Sequence, residues 1–259
     1  MTSNSTPSSP IYGGNQVKTF DREATELLFA DSPYSYSGHT LHDGETIELT
    51  GYSECTVFVK LAETNAIVKV QDTALEIAEN DSVQIINTNK IVLAATGGKA
   101  MILVAGMKGQ STTAPEMNKT PKGQHYKVSK PWGHELWING DHPKYVLKEI
   151  FIKAGTKTSL QYHHYKEETN VLFEGKTTLV YKADDTIKND DVTQENLGKT
   201  SLEPLSSIHV TPRVLHRLYA ETDVLLYEVS TPYLDDVIRV SDDSKRPDGR
   251  VQTEHGANQ

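Results

Sequence analysis

Cysteine is nearly absent from this chain of 259 residues, which carries only Cys55. A single thiol excludes an intrachain disulfide framework, and it excludes a zinc site built from several cysteines. Long apolar runs are absent as well, since none approaches the ~20 residues that a membrane-spanning helix needs. The sequence therefore predicts no transmembrane segment.

Positive charge is scarce: 26 Lys and Arg stand against 35 Asp and Glu, for a net charge of −9. No basic cluster offers the footprint that a phosphate backbone requires, so neither nucleic acid nor a membrane is expected as a partner. The first residues also lack the basic and apolar regions of a signal peptide. The polar residues 1–12 are predicted to form a disordered tail, and a cytoplasmic location is expected.

Short runs of β-forming residues fill the chain from about residue 45 onward. Two examples are Thr56-Val-Phe-Val-Lys-Leu and Ala100-Met-Ile-Leu-Val-Ala, and Gly, Asn and Asp separate such runs at regular intervals. This pattern indicates an all-β sandwich or barrel. Near the start of the chain, residues 21–30 are predicted to be helical.

The strand pattern breaks once, in a polar, turn-rich stretch that we interpret as a linker at residues 109–129. Two domains are predicted on either side of it. The first comprises residues 13–108 and the second residues 130–259.

The two halves resemble each other loosely, because residues 81–104 align with residues 206–229. In that pairing Ile91 stands where His216 stands, and the first half has no Gln-x-His or His-x-His sequence. The N-terminal domain is therefore predicted to lack metal ligands and to keep a packing role.

Residues 155–175 hold an amide, two histidines and a carboxylate between two glycines. Gln161 and His163 are two residues apart, so on a strand they face the same side. Glu168 can join them only if the chain turns and returns through a neighbouring strand, and His216 is a further candidate downstream. Nitrogen and oxygen ligands without a thiolate suit a single zinc, iron or manganese ion.

The spacing within residues 155–175 resembles the first motif of the cupin superfamily. That motif runs Gly, five residues, His-x-His, three or four residues, Glu, six residues, Gly, and Gln161 replaces its first histidine. His216, which follows a proline-containing turn, resembles the histidine of the second motif. The resemblance implies two cupin barrels in tandem, each a jelly roll or double-stranded β-helix.

Within the cupins, residues 130–250 resemble the cupin-type mannose-6-phosphate isomerases. The matching motifs are Lys130-Pro-Trp-Gly133, Ser159-Leu-Gln-Tyr-His163, Asp235-Asp-Val-Ile-Arg239 and Gly249-Arg250. The resemblance implies one divalent metal ion per chain, with zinc as the first choice and iron or manganese as alternatives. The implied ligands are Gln161, His163, Glu168 and His216.

Aldose–ketose isomerisation needs a group that moves a proton and a cation that holds the phosphate. Lys148 shares a strand face with apolar residues, and it either projects into a barrel cavity as a catalytic group or snorkels at the surface. The resemblance implies that Arg250 holds the phosphate and that Arg239 contacts the substrate. Tyr162 either lines the sugar pocket or has a structural role.

Together these features predict a metal-dependent sugar-phosphate isomerase of the mannose-6-phosphate isomerase type. The expected partner is a small sugar phosphate, and a homodimer is left open. One alternative is a non-haem metal cupin oxygenase, whose ligands would be His163, Glu168 and His216. Another is a non-catalytic sugar-binding bicupin, which the first half supports by its lack of ligands.

Overall fold

The structure, a computed structural model, describes residues 16–21, 24–63, 65–183 and 197–255. Within these ranges the chain forms 22 β-strands and one helix of four residues, so it is an all-β protein, as the sequence predicts. None of its described helical segments has the length and apolar character that a membrane span requires. The tail predicted at residues 1–12 lies outside the described residues.

The strands follow one another closely along the chain. The first eleven are β1 (Gln16–Thr19), β2 (Glu26–Asp31), β3 (Ser35–Leu41), β4 (Thr46–Thr50), β5 (Tyr52–Ala62), β6 (Asn65–Val70), β7 (Thr73–Ile77), β8 (Ser82–Ile86), β9 (Lys90–Thr96), β10 (Ala100–Lys108) and β11 (Glu116–Thr120). The others are β12 (Tyr126–Lys130), β13 (Gly133–Trp137), β14 (Val146–Ile152), β15 (Leu160–Tyr162), β16 (Glu168–Glu174), β17 (Thr177–Ala183), β18 (Gly198–Leu202), β19 (Ser206–Val210), β20 (Val214–Ala220), β21 (Val224–Ser230) and β22 (Ile238–Ser241). Helix α1 spans Gln252–His255.

One compact unit, here called the C-terminal unit, takes its described residues from Met1–Arg22, Lys127–Leu136 and Lys148–Gln259. It contains a sheet of order β1-β19-β16-β21-β14-β13-β12 and a sheet of order β18-β17-β20-β15-β22. Alternate side chains of these strands are apolar and buried, and each contributes roughly 1.5–3 kcal/mol to folding. The resulting core cluster consists of Trp132, Ile150, Ile152, Leu172, Leu179, Leu202, Ile208, Val210, Val214, Leu218, Ala220, Val224 and Leu226.

The other unit, here called the N-terminal unit, takes its described residues from Glu23–Tyr126 and Trp137–Leu147. Its sheets have the orders β11-β8-β5-β10-β3-β2 and β4-β9-β6-β7. It has an apolar cluster of its own, to which β5, β6, β8, β9 and β10 contribute. Ile91, which the comparison of the halves aligns with His216, is completely buried in this cluster.

The helix predicted at residues 21–30 is wrong, because β2 occupies Glu26–Asp31. Leu27 and Phe29 are buried while Glu26 and Leu28 are exposed, which is the two-residue period of a strand. Glu, Ala and Leu favour a helix locally, but pairing with β3 decides the conformation of this segment.

The compact units are interleaved along the chain, whereas the sequence predicts two consecutive domains. Strand β1 pairs with β19 of the C-terminal unit, and Trp137–Leu147 belongs to the N-terminal unit. The stretch predicted as a linker, residues 109–129, contains β11, which pairs with β8. Its polar composition is that of an edge strand with few buried side chains.

Candidate metal centre

Three predicted ligands, His163, Glu168 and His216, lie together in the C-terminal unit, with ligand atoms within 4.8 Å of one another. All three side chains are buried, and no other group of this kind occurs among the described residues. Glu168 Oε1 lies 3.2 Å from His216 Nε2, and Glu168 Oε2 lies 3.6 Å from His163 Nε2. Two ligands of a tetrahedral zinc ion with bonds of ~2.0–2.1 Å stand about 3.3 Å apart, so the three side chains have the spacing of a metal site.

Strand pairing explains how distant parts of the sequence meet here. In β15, Gln161 lies directly opposite His216 of β20, and side chains opposite one another in an antiparallel pair share a face. Gln161 is half-buried, and the register places it on the face of His216. Glu168 is the first residue of β16, so the chain returns through a neighbouring strand, as the sequence predicts.

The two histidines have their Nδ1 atoms bound to backbone carbonyl oxygens. His163 Nδ1 contacts the carbonyl of Asp236, and His216 Nδ1 lies 3.0 Å from the carbonyl of Val214. A carbonyl only accepts, so each Nδ1 carries the proton, and in the neutral ring Nε2 keeps its lone pair. His163 Nε2 is buried and has no hydrogen-bond partner among the described residues. An orphaned buried lone pair that points at a carboxylate and a second imidazole fits a bound cation.

Electrostatics favour the ligating protonation states. Burial, together with the positive charge of Lys166, lowers the pKa of His163 to about 3, although Glu168 opposes the shift. Burial alone would raise the pKa of Glu168, but the positive charge of Lys166 beside it outweighs burial and holds that pKa well below its usual range. The site therefore presents a neutral imidazole and an ionised carboxylate at neutral pH, which are the forms that bind metal.

Sequence reasoning missed a buried charge network around Glu168. Lys166 Nζ donates to Glu168 Oε2, and it donates to Glu228 Oε1 at 2.9 Å. Asn170 Nδ2 donates to Glu168 Oε1 at 3.1 Å, and Glu228 lies opposite Asn170 in the register of β16 and β21. Glu168 and Asn170 are two residues apart on a strand, so their proximity could be predicted from the sequence. The approach of Glu228 follows only from strand pairing.

Lys148 is buried, so its side chain does not extend into solvent as a surface lysine would. Its ammonium lies 3.6 Å from Glu135 and 3.9 Å from Glu228 Oε1. Glu228 Oε1 is also the atom that accepts from Lys166. Lys148 is thus connected to the three ligands through Glu228 and Lys166.

The two predicted arginines, Arg239 and Arg250, are bound to groups other than the ligand candidates. Arg239 is opposite Gln161 in the register of β15 and β22, and its guanidinium donates to Ser159 Oγ and to the carbonyl of Gly249. Arg250 forms an ion pair with Asp235 at 3.1 Å.

Tyr162 follows Gln161 on the strand, so its side chain lies on the opposite face from the ligand candidates. Its ring contacts that of His164, edge-on, with centroids 5.4 Å apart. The structure therefore does not bring Tyr162 to the three clustered ligands.

Solved structures share this fold. The E. coli protein Ylba matches with a TM-score of 0.64 at 10% identity, covering 86% of this chain and 94% of that one. Lactobacillus farciminis oxalate decarboxylase matches with a TM-score of 0.58 at 11% identity, covering 92% of this chain and 89% of that one. Bacillus subtilis oxalate decarboxylase, which contains Mn(II) centres, matches with a TM-score of 0.60 at 10% identity, covering 92% of this chain and 78% of that one. These neighbours have the cupin fold, and at such identities the likeness shows the fold alone.

Curated relatives match a smaller part of the chain. The alginate biosynthesis protein AlgA of Pseudomonas putida is 28% identical over 131 residues, which is 49% of this chain and 25% of that protein. AlgA of Pseudomonas syringae pv. tomato is 28% identical over 131 residues, 49% of this chain and 26% of its own length. The chain thus matches about a quarter of the length of these relatives. Residues 117–242, which contain all four ligand candidates, match the family described as mannose-6-phosphate isomerase C-terminal.

Proposed function

We propose that this chain is a metal-dependent sugar-phosphate isomerase of the mannose-6-phosphate isomerase type, acting in the cytoplasm. In this proposal the chain is a pair of tandem cupin barrels, and the metal is held in the C-terminal one. The observation that carries the proposal is the buried cluster of His163, Glu168 and His216, with Gln161 opposite His216 in the strand register, all within residues 117–242. Gln161, His163, Glu168 and His216 would hold the ion.

The charge of this ligand set suits isomerisation. Glu168 is the one anionic ligand, so a divalent ion would keep a net positive charge when bound. A divalent ion bound there supplies a Lewis acid that polarises the carbonyl and the adjacent hydroxyl of a sugar. Zinc is our first choice, with manganese or iron as alternatives, because nitrogen and oxygen donors accept all three.

Lys148 is the group that we assign to proton transfer between the adjacent sugar carbons. Its Nζ is buried and lies between the carboxylates of Glu135 and Glu228. These two ion pairs position the ammonium inside the C-terminal unit. A fixed donor near the ligands is what a proton shuttle at two neighbouring carbons needs.

Arg250 is the residue that we assign to the phosphate. Its partner Asp235 is 75% exposed, and ion pairs at exposed positions contribute only about 0–1 kcal/mol. Arg250 can therefore exchange its partner Asp235 for a dianionic phosphate at little cost in free energy. Arg239 carries less of this role because its guanidinium is bound to backbone carbonyls of Pro247 and Gly249.

The test is incubation of the metal-loaded protein with mannose 6-phosphate and, separately, fructose 6-phosphate, followed by NMR of the sugar phosphates. Each should convert to the other with zinc, manganese or iron present. Lys148→Met should lower kcat by at least about a hundredfold, which is the usual contribution of an acid–base group. Glu168→Gln should lower kcat at least as much, because it removes the one anionic ligand that would hold the metal. Their matched controls are Lys153→Met and Glu174→Gln, since both residues are exposed.

A wild-type protein that fails to interconvert the two sugar phosphates with any of the three metals would contradict the proposal. Binding of a sugar phosphate without conversion would indicate a sugar-binding bicupin instead. Consumption of oxygen with small acids or thiols would indicate an oxygenase.

A further inference from the structure

A loop of four residues, 164–167, joins His163 to Glu168, and one acidic residue from another part of the chain holds most of it. Asp236 Oδ1 accepts the backbone N–H of His164 at 2.9 Å. Asp236 Oδ2 accepts the N–H of Tyr165 at 2.5 Å and that of Lys166 at 2.9 Å. Three successive donors of the loop thus converge on one carboxylate.

The backbone of Asp236 acts on the ligand itself. Its carbonyl oxygen accepts the Nδ1–H of His163, which fixes the tautomer and the ring orientation. Asp236 therefore contacts the histidine ligand through its main chain and the loop behind it through its side chain. Asp236 can thus act on the site without contacting Glu168.

The remaining loop residue is held by the same segment. The N–H of Glu167 donates to Thr231 Oγ1 at 3.0 Å, and the N–H of Thr231 donates to the carbonyl of Glu167 at 2.9 Å. Every loop N–H from His164 to Glu167 is thus bound to Thr231 or Asp236. A short loop between two ligands, with all its donors bound, has little freedom to change the distance between them.

We propose that Asp236 is a positioning residue of the metal centre, which sets the direction of His163 Nε2 and its separation from Glu168. This inference rests on the metal-dependent function proposed above. An isosteric Asp236→Asn substitution keeps the carbonyl contact to His163 but turns one acceptor oxygen into an N–H donor. The new amide N–H then faces a backbone N–H of the loop, so at least one hydrogen bond to the loop is lost.

The experiment measures metal binding, without sugar, in the full chain. Zn²⁺ affinity is obtained by competition with a chromogenic chelator, and the d–d absorption of the Co²⁺-saturated protein reports the ligand geometry. Asp236→Asn should weaken Zn²⁺ binding by about ten- to hundredfold, which is the usual effect of disturbing the groups that orient metal ligands. It should also shift the Co²⁺ bands at saturation, which a mere loss of stability would leave unchanged.

The matched control is Asp243→Asn, since Asp243 is an exposed acid in the same unit, paired with Lys157 at 3.1 Å. It should bind both metals as the wild type does. Asp236→Glu keeps both carboxylate oxygens but displaces them by one methylene, so it serves if the Asn variant fails to fold. It should shift the Co²⁺ bands with a smaller loss of Zn²⁺ affinity.

Wild-type Zn²⁺ affinity and wild-type Co²⁺ spectra in the two Asp236 variants would overturn the inference, as would a wild-type protein that binds neither metal. A protein that binds metal in an Asp236-dependent way but converts no sugar phosphate would contradict the proposed isomerase alone. The two failures are thus distinguishable.

Discussion

A shift of one residue along the chain separates a candidate metal ligand from a surface residue in this site. His163 is buried with its Nε2 directed at Glu168, whereas His164 is exposed and contacts Tyr162. Neighbours on an extended chain face opposite sides, so this choice could be predicted from the spacing of Gln161 and His163 alone. The carboxylate that neutralises Lys166 from the other side, Glu228, lies 62 residues beyond it in sequence, and only the fold shows it.

Lys166 provides the residue-scale prediction. Its ammonium is the counter-ion of two buried carboxylates, Glu168 and Glu228. Lys166→Met leaves both without that partner, so the metal-free protein should lose roughly 3–5 kcal/mol of unfolding free energy. Added Zn²⁺ supplies positive charge to Glu168, so it should stabilise the variant more than the wild type. Chemical unfolding with and without Zn²⁺ measures this.

The control for this experiment is Lys176→Met, because the Lys176 side chain is 46% exposed. It should change the unfolding free energy by no more than about 1 kcal/mol. A loss in Lys166→Met that Zn²⁺ does not reduce would contradict the proposed link between this lysine and the metal site.

At the scale of elements, the ligand strand β15 has only three residues and depends on its neighbours β20 and β22. The segment after β22 is tied down by buried charges. Arg246 donates to Asp242 Oδ2 at 2.7 Å and to Glu254 of α1 at 3.2 Å, and Ser159 donates to the same Asp242 oxygen at 2.8 Å. These contacts keep β22 against the strand that carries Gln161.

The pKa of Asp242 gives a prediction for pH dependence. Burial alone would raise this pKa, but the bonds from Arg246 and Ser159 outweigh burial and lower it below its usual value. A depressed folded-state pKa stabilises the fold above the unfolded-state pKa of about 3.9, and the contribution is lost as pH falls towards the folded-state pKa. The stability difference between wild type and Asp242→Asn should therefore be largest near pH 7 and should shrink between about pH 5 and pH 3.

Urea unfolding at several pH values tests this prediction. Asp243→Asn is again the control, because the exposed pair with Lys157 should contribute little at any pH. A difference between wild type and Asp242→Asn that stays constant down to pH 3 would show that the ion pair does not stabilise the segment.

At the scale of the whole molecule, neither compact unit is built from one continuous stretch of chain. Within the N-terminal unit, the hydroxyl of Tyr145 bonds to Thr56 Oγ1 at 2.9 Å, and Lys144 forms an ion pair with Glu54. These residues lie on either side of the boundary at residues 109–129 that composition predicts. The composition of the sequence shows where the chain is polar. It does not show which distant segments contact each other, as Lys144 and Glu54 do across 90 residues.

Fragments test this partition. A fragment of residues 13–129 removes the partners of buried Glu54 and Thr56, at a cost of about 1–3 kcal/mol for each group left unsatisfied. A fragment of residues 13–147 keeps them, so it should unfold at a clearly higher temperature and resist proteolysis longer. Equal melting temperatures for the two fragments would contradict the assignment of Trp137–Leu147 to the N-terminal unit.

The sequence by itself determined that the chain is all-β, and its resemblance to the cupin motifs named His163, Glu168 and His216 as ligand candidates before the fold brought them together. The first follows from local periodicity, and the second follows from the motifs that carry the resemblance. The tertiary structure alone decided the protonation of His163, the pairing of Lys166 with Glu228, the hold of Asp236 on the ligand loop and the interleaving of the units. These depend on burial and on strand register between distant segments, and neither is encoded in any short stretch of the chain.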